Sequence, residues 1–386
     1  MRKIFYGSVF ILLLAPFLIA QDELRYETKD RYGRTQKVLT MDFSKLQRPA
    51  TLDGFHALYH LPPITQDTTG TCWCFSTISF LESELVRKGR TAVKLSEMYI
   101  VYWEYVEKVR RFVREHGDSF LGEGSEQNAV LERMRQYGLV RATDYSGLIN
   151  GRTRHNHALM FREIMSYLDY IAKNKIWDEE QVIATTKIIL NKYLGEPPKT
   201  IALDGKEITP NQLMQDYLQL NPDDYVPLMS VMYAPFYQKA ELKSPDNWWH
   251  SEDYLNVPLE VFYNTIVDAL KQGYTLAIAG DTSEIGRNGE YDVAVIPYFD
   301  LPPTAIGQNA REFRIHNNTT TDDHAMHLVG YQKMGNHTWF LVKDSGGSAW
   351  KGQFKGYFML RDDYVKIKIL SVLVHRDMVA KLNLSK

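Results

Sequence analysis

The chain has 386 residues, of which 44% are hydrophobic and 24% charged, and it contains 24 Gly and 15 Pro. This balance is typical of a folded globular protein and excludes a disordered chain, a collagen and a multispan membrane protein. Lys and Arg total 45 against 47 Asp and Glu, a formal net charge of −2. Because no long run of like charges occurs, charge gives no support for a nucleic-acid partner or an anionic membrane surface.

The first twenty residues have the features of a secretory signal. Arg2 and Lys3 precede an apolar run over residues 9–20, and the first acidic residue, Asp22, follows that run. A basic start, an apolar run and a small final residue are the parts of a cleaved signal peptide. The run is shorter than the about 20 apolar residues that a membrane anchor needs. We therefore expect residues 1–20 to be removed, leaving a secreted or periplasmic protein without a membrane span.

The rest of the chain divides into an arm and one large domain, residues 55–386. Residues 21–54 are polar with few periodic apolar positions, which is typical of an arm or linker. Apolar residues recur at helical spacing after Cys72, so a helix begins near that residue. The region from about 145 to 250 has mostly helical spacing and good helix formers, which predicts a mainly helical insertion. Short apolar or alternating segments between Gly-rich turns predict antiparallel strands at 275–279, 324–331, 338–342, 356–360 and 366–375.

The two cysteines, Cys72 and Cys74, are separated by one residue. That spacing is too short for a relaxed disulfide, and two cysteines are too few for a structural zinc site. A thiol at a helix start is activated by the helix dipole, and its backbone N–H can face an oxyanion. Cys72 is therefore the candidate nucleophile, and Gln66 the candidate second oxyanion donor. Cys74 is expected to be a small buried hydrophobe.

A thiolate peptidase also needs a histidine that is held by a third polar group. His324 opens a predicted strand, where side chains alternate between faces, so His324 and His327 point in opposite directions. A hairpin around residues 335–336 brings Asp344 beside His324. Asp344 is then the candidate that orients the imidazole.

The sequence gives little evidence for a metal site. The opposed faces of His324 and His327 disfavour a metal pair there. His155 and His157 lack a nearby carboxylate ligand pattern and are interpreted as part of a surface loop. We therefore expect no metal and no other cofactor.

Four sequence elements together resemble the papain-like cysteine peptidases in type, order and spacing. They are Gln66, residues 70–75, residues 95–97 and residues 324–326. Papain-like enzymes usually place the histidine about 130–150 residues after the cysteine, whereas 324 minus 72 gives 252 here. The helical insertion supplies the extra residues.

Residues 193–200 and 256–258 look like the bleomycin hydrolase and aminopeptidase C branch of that family. This resemblance covers residue 55 to the end of the chain. It implies an α+β fold, with a helical subdomain carrying Cys72 and an antiparallel, barrel-like β subdomain carrying His324. It also implies hydrolysis of peptide substrates through a thiolate acyl-enzyme, a C-terminal tail that favours aminopeptidase action, and a hexameric ring.

The resemblance implies roles for individual residues of this chain. Cys72 would be the nucleophile, His324 the general acid and base, and Gln66 the oxyanion donor. Asp344 would hold the position of the family's asparagine. The residues that fall where the family lines the cleft for the substrate backbone are Gly122, Gly124 and Ser125.

The chain departs from the family at residues 344–347. The family has asparagine followed by Ser-Trp-Gly, whereas this chain has Asp-Ser-Gly-Gly. A carboxylate therefore replaces the carboxamide and favours an imidazolium. The shielding tryptophan is absent, so we expect water to weaken the bond between His324 and Asp344.

Two other functions stay open at the level of sequence. A transglutaminase-like acyltransferase also uses Cys, His and Asp in this order, although Gln66 and residues 194–200 argue against it. A secreted peptide-binding pseudo-enzyme would keep the cleft without turnover. Slow, ordinary alkylation of Cys72 would favour binding over catalysis.

Overall fold

A computed structural model describes residues 24–31, 34–380 and 382. The predicted signal, residues 1–20, lies outside these described residues. The segment predicted as an arm holds a hairpin in which strands Leu24–Arg31 (β1) and Arg34–Met41 (β2) pair antiparallel. Met41 and Phe43 are buried in one cluster with residues of the main sheet, so the hairpin is anchored at its end.

The helices of the described chain fall into three groups: those around Cys72, those of the insertion, and those that cover the sheet. Their bounds are Cys72–Arg87 (α1), Glu97–Arg114 (α2), Gln127–Tyr137 (α3), Ala158–Asn174 (α4), Glu179–Leu194 (α5), Pro210–Gln212 (α6), Leu259–Lys271 (α7), Gln308–His316 (α8), Asp362–Lys368 (α9) and Arg376–Val379 (α10). The predicted helix start at Cys72 is confirmed. Residue Gly89, just beyond α1, has a φ of 74°, a conformation that glycine adopts without steric cost.

Most of the remaining strands join one mixed sheet. Their bounds are His56–Ala57 (β3), Ile201–Leu203 (β4), Lys206–Ile208 (β5), Tyr225–Met229 (β6), Gln238–Ala240 (β7), Tyr254–Asn256 (β8), Leu276–Gly280 (β9), Arg287–Asn288 (β10), Val293–Ala294 (β11), His324–Met334 (β12), His337–Lys343 (β13), Tyr357–Arg361 (β14) and Ile369–His375 (β15). The order is β10-β11-β14-β13-β12-β9-β15-β6-β8-β7, with β3 on β12 and β4–β5 as a separate hairpin. Within the described chain this path is open and does not close into a barrel.

The predicted strands of the last third are present, with one boundary error. Residues 366–368 belong to α9, and the last strand begins only at Ile369. Most neighbours pair antiparallel, but β11 with β14 and β6 with β8 are parallel, so the sheet is mixed. The region from about 145 to 250 contains α4, α5 and α6 together with short strands.

Most buried apolar side chains of the described chain belong to two large cores. One core joins α1, α2 and α3 to the helices of the insertion. The other lies between the sheet and α7. Helix α1 packs across β9 and β12. Cys72 at the start of α1 lies beside His324 at the start of β12. Across the described residues, no helix combines the length and apolar character needed to span a bilayer.

Candidate active site

Cys72 is the first residue of α1 and is partly exposed. The N–H groups of Cys74 and Phe75 donate to the Thr71 carbonyl, whereas the N–H at the very start of a helix has no intrahelical acceptor and can face an anion. The indole of Trp73 donates to the carbonyl of Glu123 at 3.2 Å, which anchors this helix end. Cys74 is fully buried, as the sequence predicts, and its thiol donates to the carbonyl of Glu97 at 3.3 Å. Burial raises the pKa of Cys74, which keeps it an inert thiol.

The structure brings His324 together with both Cys72 and Asp344. His324 Nε2 lies 2.7 Å from Asp344 Oδ1, and the predicted hairpin of β12 and β13 creates this contact. Burial alone would lower the pKa of His324, but the Asp344 carboxylate and the Cys72 sulfur raise it to about 10. A protonated imidazole that is held by a carboxylate and lies beside a sulfur is the arrangement that a thiolate nucleophile requires.

Asp344 is held by a residue that the sequence analysis missed. Arg287, on the two-residue strand β10, donates from Nη2 to Asp344 Oδ2 at 2.9 Å. The Gly346 N–H donates to Oδ1 at 2.7 Å. Burial would raise the pKa of Asp344, but His324, Arg287 and this N–H hold it below its usual value. The carboxyl therefore stays ionised although its side chain is fully buried.

The bond between His324 and Asp344 is shielded without a tryptophan. A Cβ at residue 346 would lie 3.1 Å from both Asp344 Oδ1 and His324 Cε1, so the backbone of Gly346 itself covers the bond. The guanidinium of Arg287, which binds Asp344, stacks 3.9 Å from the ring centroid of Phe358. The side chain of His324 is only 12% exposed. The expected exposure of this bond to water is therefore wrong.

Gln66 is buried beside the same loop. Its Oε1 accepts from the Ser345 hydroxyl at 2.8 Å, and its backbone N–H donates to the Ser345 carbonyl at 3.0 Å. One hydrogen of its Nε2 is used by the carbonyl of Thr69 at 2.7 Å. An amide carries two N–H donors, so the second remains for another acceptor. Ser345 thus links the position of Gln66 to that of Asp344.

Gly122, Gly124 and Ser125 form a loop beside the start of α1. The ammonium of the buried Lys108 donates to the carbonyl of Gly122 at 2.8 Å and also to the carbonyl of Gly124. The Ser125 hydroxyl donates to Glu104 at 2.6 Å and points into the core. The Ser125 side chain is therefore used internally, and a single buried cation sets the shape of this loop.

The other histidines differ partly from expectation. His157 was expected on a surface loop, but it is 1% exposed, and burial lowers its pKa to about 3. The interpretation of this residue as a surface residue is wrong, because helix α4 begins immediately after it and carries it into the core. His327 points away from Asp344, and its Nδ1 lies 2.8 Å from the Ser79 hydroxyl. In the part of the chain that the structure describes, no group of three or more His, Cys, Asp or Glu is arranged to hold a metal ion.

A thiol at a helix N-terminus, facing a histidine–carboxylate pair on an adjoining sheet, defines the class of papain-like cysteine peptidases. A model of the Peptidase C1-like family matches residues 140–386, which is 247 of 386 residues. The chain belongs to this family and is therefore a cysteine-type peptidase by descent.

Curated relatives extend the match beyond that region. Aminopeptidase G from Lactobacillus delbrueckii subsp. lactis is 24% identical over 357 residues, covering 82% of this chain and 81% of that protein. Aminopeptidase C from Listeria innocua serovar 6a is 23% identical over 367 residues, covering 82% and 80%. Because 82% of the chain exceeds the share in residues 140–386, these alignments reach into the part before residue 140. The resemblance to the aminopeptidase C branch is confirmed.

A solved structure confirms the fold. The crystal structure of PepW from Lactobacillus rhamnosis HN001 matches with a TM-score of 0.63 and 18% identity. The match covers 84% of this chain and 82% of that chain. The papain-like α+β fold predicted from the sequence is therefore correct.

Proposed function

We propose that this chain is a thiol aminopeptidase whose nucleophile is Cys72. The observation that carries the proposal is the 2.7 Å bond between His324 and Asp344, with the Cys72 sulfur beside the same imidazole. Charge on the sulfur and a proton on the imidazole are the starting state for acyl transfer.

The proposed reaction uses two proton transfers by His324. The Cys72 thiolate attacks the substrate carbonyl carbon and forms a C–S bond, while the carbonyl oxygen gains the negative charge. The Cys72 N–H and the free Nε2 hydrogen of Gln66 stabilise this oxyanion. His324 gives its proton to the departing amine as the C–N bond breaks. It then takes a proton from water, which attacks the thioester and restores Cys72.

The preference for free N-termini rests on the relatives and on the resemblance. The relatives that cover 82% of the chain are named aminopeptidases, and the resemblance implies a C-terminal tail that lies in the cleft. Residues 383–386 lie outside the described residues. Deleting these four residues should convert stepwise N-terminal cleavage into internal cleavage. An unchanged product pattern would exclude this role for the tail.

Secretion and assembly are further parts of the proposal. We expect the mature chain to begin near Gln21, outside the cytosol, and to assemble as a hexameric ring. N-terminal sequencing of protein recovered from the periplasm or medium tests the first expectation. Light scattering on the purified mature protein tests the second.

Product analysis tests the proposed function itself. The mature, reduced protein and its Cys72→Ala variant are incubated with a mixed peptide pool, and every new terminus is identified by mass spectrometry. We expect stepwise loss of N-terminal residues by the wild type alone. Cys74→Ser is the matched control and should keep the wild-type product pattern. Identical products from the wild type and Cys72→Ala would overturn the proposal and favour a peptide-binding protein.

A further inference from the structure

The segment of residues 66–71, which we call the entry segment, lies between the two proposed oxyanion donors. Gln66 is its first residue, and Cys72 follows its last. The Thr71 carbonyl accepts two N–H groups from the first turn of α1, at 3.0 and 3.1 Å. This carbonyl and the Cys72 N–H belong to one planar peptide group. The direction of the Cys72 N–H therefore depends on how the end of the entry segment is held.

Glu123 contacts the chain on both sides of Cys72. Its Oε2 accepts the backbone N–H of Gly70 at 2.8 Å. Its carbonyl accepts the indole N–H of Trp73 at 3.2 Å. Gly70 precedes the nucleophile by two residues, and Trp73 follows it directly. One residue thus fixes the backbone before Cys72 and the side chain after it.

The residue type at position 70 fits this contact. A Cβ on Gly70 would lie 2.7 Å from the Cβ of Glu123, a distance that two such carbons do not reach. Only glycine lets the backbone come this close to Glu123. The short bond between the Gly70 N–H and the carboxylate depends on that approach.

The carboxylate of Glu123 is itself held in place. Its side chain is 22% exposed, and Tyr105 lies beside it. His157 Nδ1 stands 3.9 Å from Glu123 Oε2, beyond hydrogen-bond distance. Burial lowers the pKa of His157 to about 3, so His157 stays neutral and does not draw the carboxylate into an ion pair. The negative charge therefore serves the Gly70 N–H, and a charged acceptor makes a stronger bond than a neutral one.

Backbone bonds hold the middle of the entry segment. The Thr68 N–H donates to the His155 carbonyl at 3.2 Å, and the His157 N–H donates to the Thr68 carbonyl at 3.1 Å. The Asp67 side chain accepts the His155 N–H at 3.0 Å. Residues just before α4 thus hold the middle of the segment, and Glu123 holds its end beside Cys72. The contact at the end is made by a side chain, so substitution can remove it.

We propose that Glu123 is a positioning residue that aims the Cys72 N–H at the oxyanion. This inference rests on the proposed function, since it concerns the oxyanion donors of that same site. Glu123 acts through Gly70 and does not itself have to touch the substrate. Its loss should weaken the stabilisation of the oxyanion without changing the ionisation of Cys72, which depends on His324 and Asp344.

Leucinal and leucinol separate these two effects. They share one side chain and one ammonium group and differ only in an aldehyde against an alcohol. The Cys72 thiolate adds to the aldehyde carbon and forms a C–S bond, while the carbonyl oxygen takes the negative charge. The alcohol has no such reaction. The ratio of the two Kd values therefore reports on oxyanion stabilisation, and protection of Cys72 from iodoacetamide measures both Kd values without peptide turnover.

We expect the wild type to bind leucinal at least about 100-fold more tightly than leucinol, the lower end of the preference for transition-state analogues. Glu123→Ala should lower this ratio by about tenfold or more, less than the about 10²–10³-fold loss on removal of an oxyanion donor itself. Its leucinol affinity and its rate of Cys72 alkylation at pH 6 should be unchanged. Glu123→Gln keeps an acceptor for the Gly70 N–H and should restore most of the ratio.

Gly70→Ala reaches the same bond from its other side. The added Cβ forces residue 70 away from Glu123, so this variant should reproduce the loss of leucinal preference, and it decides the question if Glu123→Ala does not fold. The matched control is Glu163→Ala, which removes a carboxylate that pairs with Lys192 at 2.8 Å on the surface. It should leave the ratio unchanged.

Two results would overturn the positioning role. One is an equal loss of leucinal and leucinol affinity, or an unchanged ratio, in both Glu123→Ala and Gly70→Ala. The other is a wild type without any preference for leucinal, because no oxyanion site would then exist to be positioned. Absence of peptide cleavage by a wild type that keeps the preference would instead contradict the proposed function alone.

Discussion

Two buried carboxyl groups of the described chain behave in opposite ways. Asp344 and Glu126 are each 1% exposed. Asp344 accepts from His324, Arg287 and the Gly346 N–H, which together hold its pKa below the usual value. Glu126 accepts no regular hydrogen bond, and its pKa rises to about 7. Burial alone therefore does not decide the charge of a carboxyl group. The hydrogen-bond donors and cations around the carboxyl group also determine it.

The two environments favour different charge states of the carboxyl group. A carboxylate that is ionised at every working pH can hold an imidazolium in one orientation throughout the reaction. A carboxyl group whose charge is costly, such as that of Glu126, takes up a proton near neutral pH instead. Substitutions at Asp344, Arg287 and Glu126 test this contrast.

Replacing Asp344 by Ala should have the largest effect. It removes the acceptor that orients His324 and leaves Arg287 without its carboxylate. We expect kcat/KM to fall by about 10³-fold or more, the order found when the orienting carboxylate of a triad is lost. Asp344→Asn should lose less activity, and its alkaline pH limit should move lower because the anion that raises the pKa of His324 is gone.

The control for this prediction is Asp300→Asn. Asp300 also pairs with an arginine, Arg314 at 3.0 Å, but the pair lies away from the site and is partly exposed. Its kcat/KM should match that of the wild type. If the Asp344→Ala variant keeps a kcat/KM near that of the wild type, Asp344 does not orient His324.

Replacing Arg287 by Met should have an intermediate effect. The pKa of Asp344 then rises, so the acid limb of the kcat/KM profile moves to higher pH, and we expect activity at neutral pH to fall by about tenfold or more. Loss of one partner of a buried pair also destabilises a fold by about 3–5 kcal/mol. Arg287→Lys keeps the charge and should restore the position of the acid limb. A loss of stability with an unmoved acid limb would mean that Arg287 is structural only.

Replacing Glu126 by Gln should have the smallest effect, and it acts on stability. The pKa of Glu126 is raised from 4.5 to about 7 on folding, so the folded state binds more protons than the unfolded state between these values. Stability contributed by the neutral carboxyl is therefore lost as the pH rises through this window. The free energy of unfolding of Glu126→Gln, relative to wild type, should increase between pH 4.5 and 7.5 by on the order of 1–3 kcal/mol.

Urea unfolding at both pH values measures this difference. The exposed Glu252→Gln is the control and should show no such pH dependence. For Asp344 the sign is reversed, because its folded pKa lies below its usual value of 3.8 and its stabilising contribution is lost as the pH falls through that folded pKa. If the free energy of unfolding of Glu126→Gln relative to wild type does not change with pH, folding does not raise the pKa of Glu126.

The local parts of the site were predictable from the sequence. Helical spacing places the start of α1 at Cys72, and strand alternation with a turn at residues 335–336 places Asp344 beside His324. These inferences succeed because each depends on residues that are close in the chain. The hairpin in residues 24–41 was not predicted, since its strands are polar and carry no alternation of apolar residues.

The contacts made across the fold were not predictable. Arg287 lies on a strand of two residues, too short for any periodicity, and it stands 57 residues before Asp344. The pairing of Glu126 with Asp322 joins the start of α3 to the loop before β12, and no local pattern connects them. The only sequence feature that pointed to this contact was the presence of acidic residues within 122–126 and 322–323. Acidic residues are more often exposed than buried, so this feature did not predict the contact.

The rate of Cys72 alkylation as a function of pH is the sharpest test of whether Asp344 holds a thiolate–imidazolium pair. Wild type, Asp344→Ala and Cys74→Ser are treated with iodoacetamide between pH 5 and 9, and the modified residue is identified by peptide mass. We expect Cys72 to react rapidly at pH 6 in the wild type and in Cys74→Ser, and much more slowly in Asp344→Ala. A rate that rises only near pH 8.5 in all three proteins, as for a free thiol, would contradict a thiolate–imidazolium pair held by Asp344.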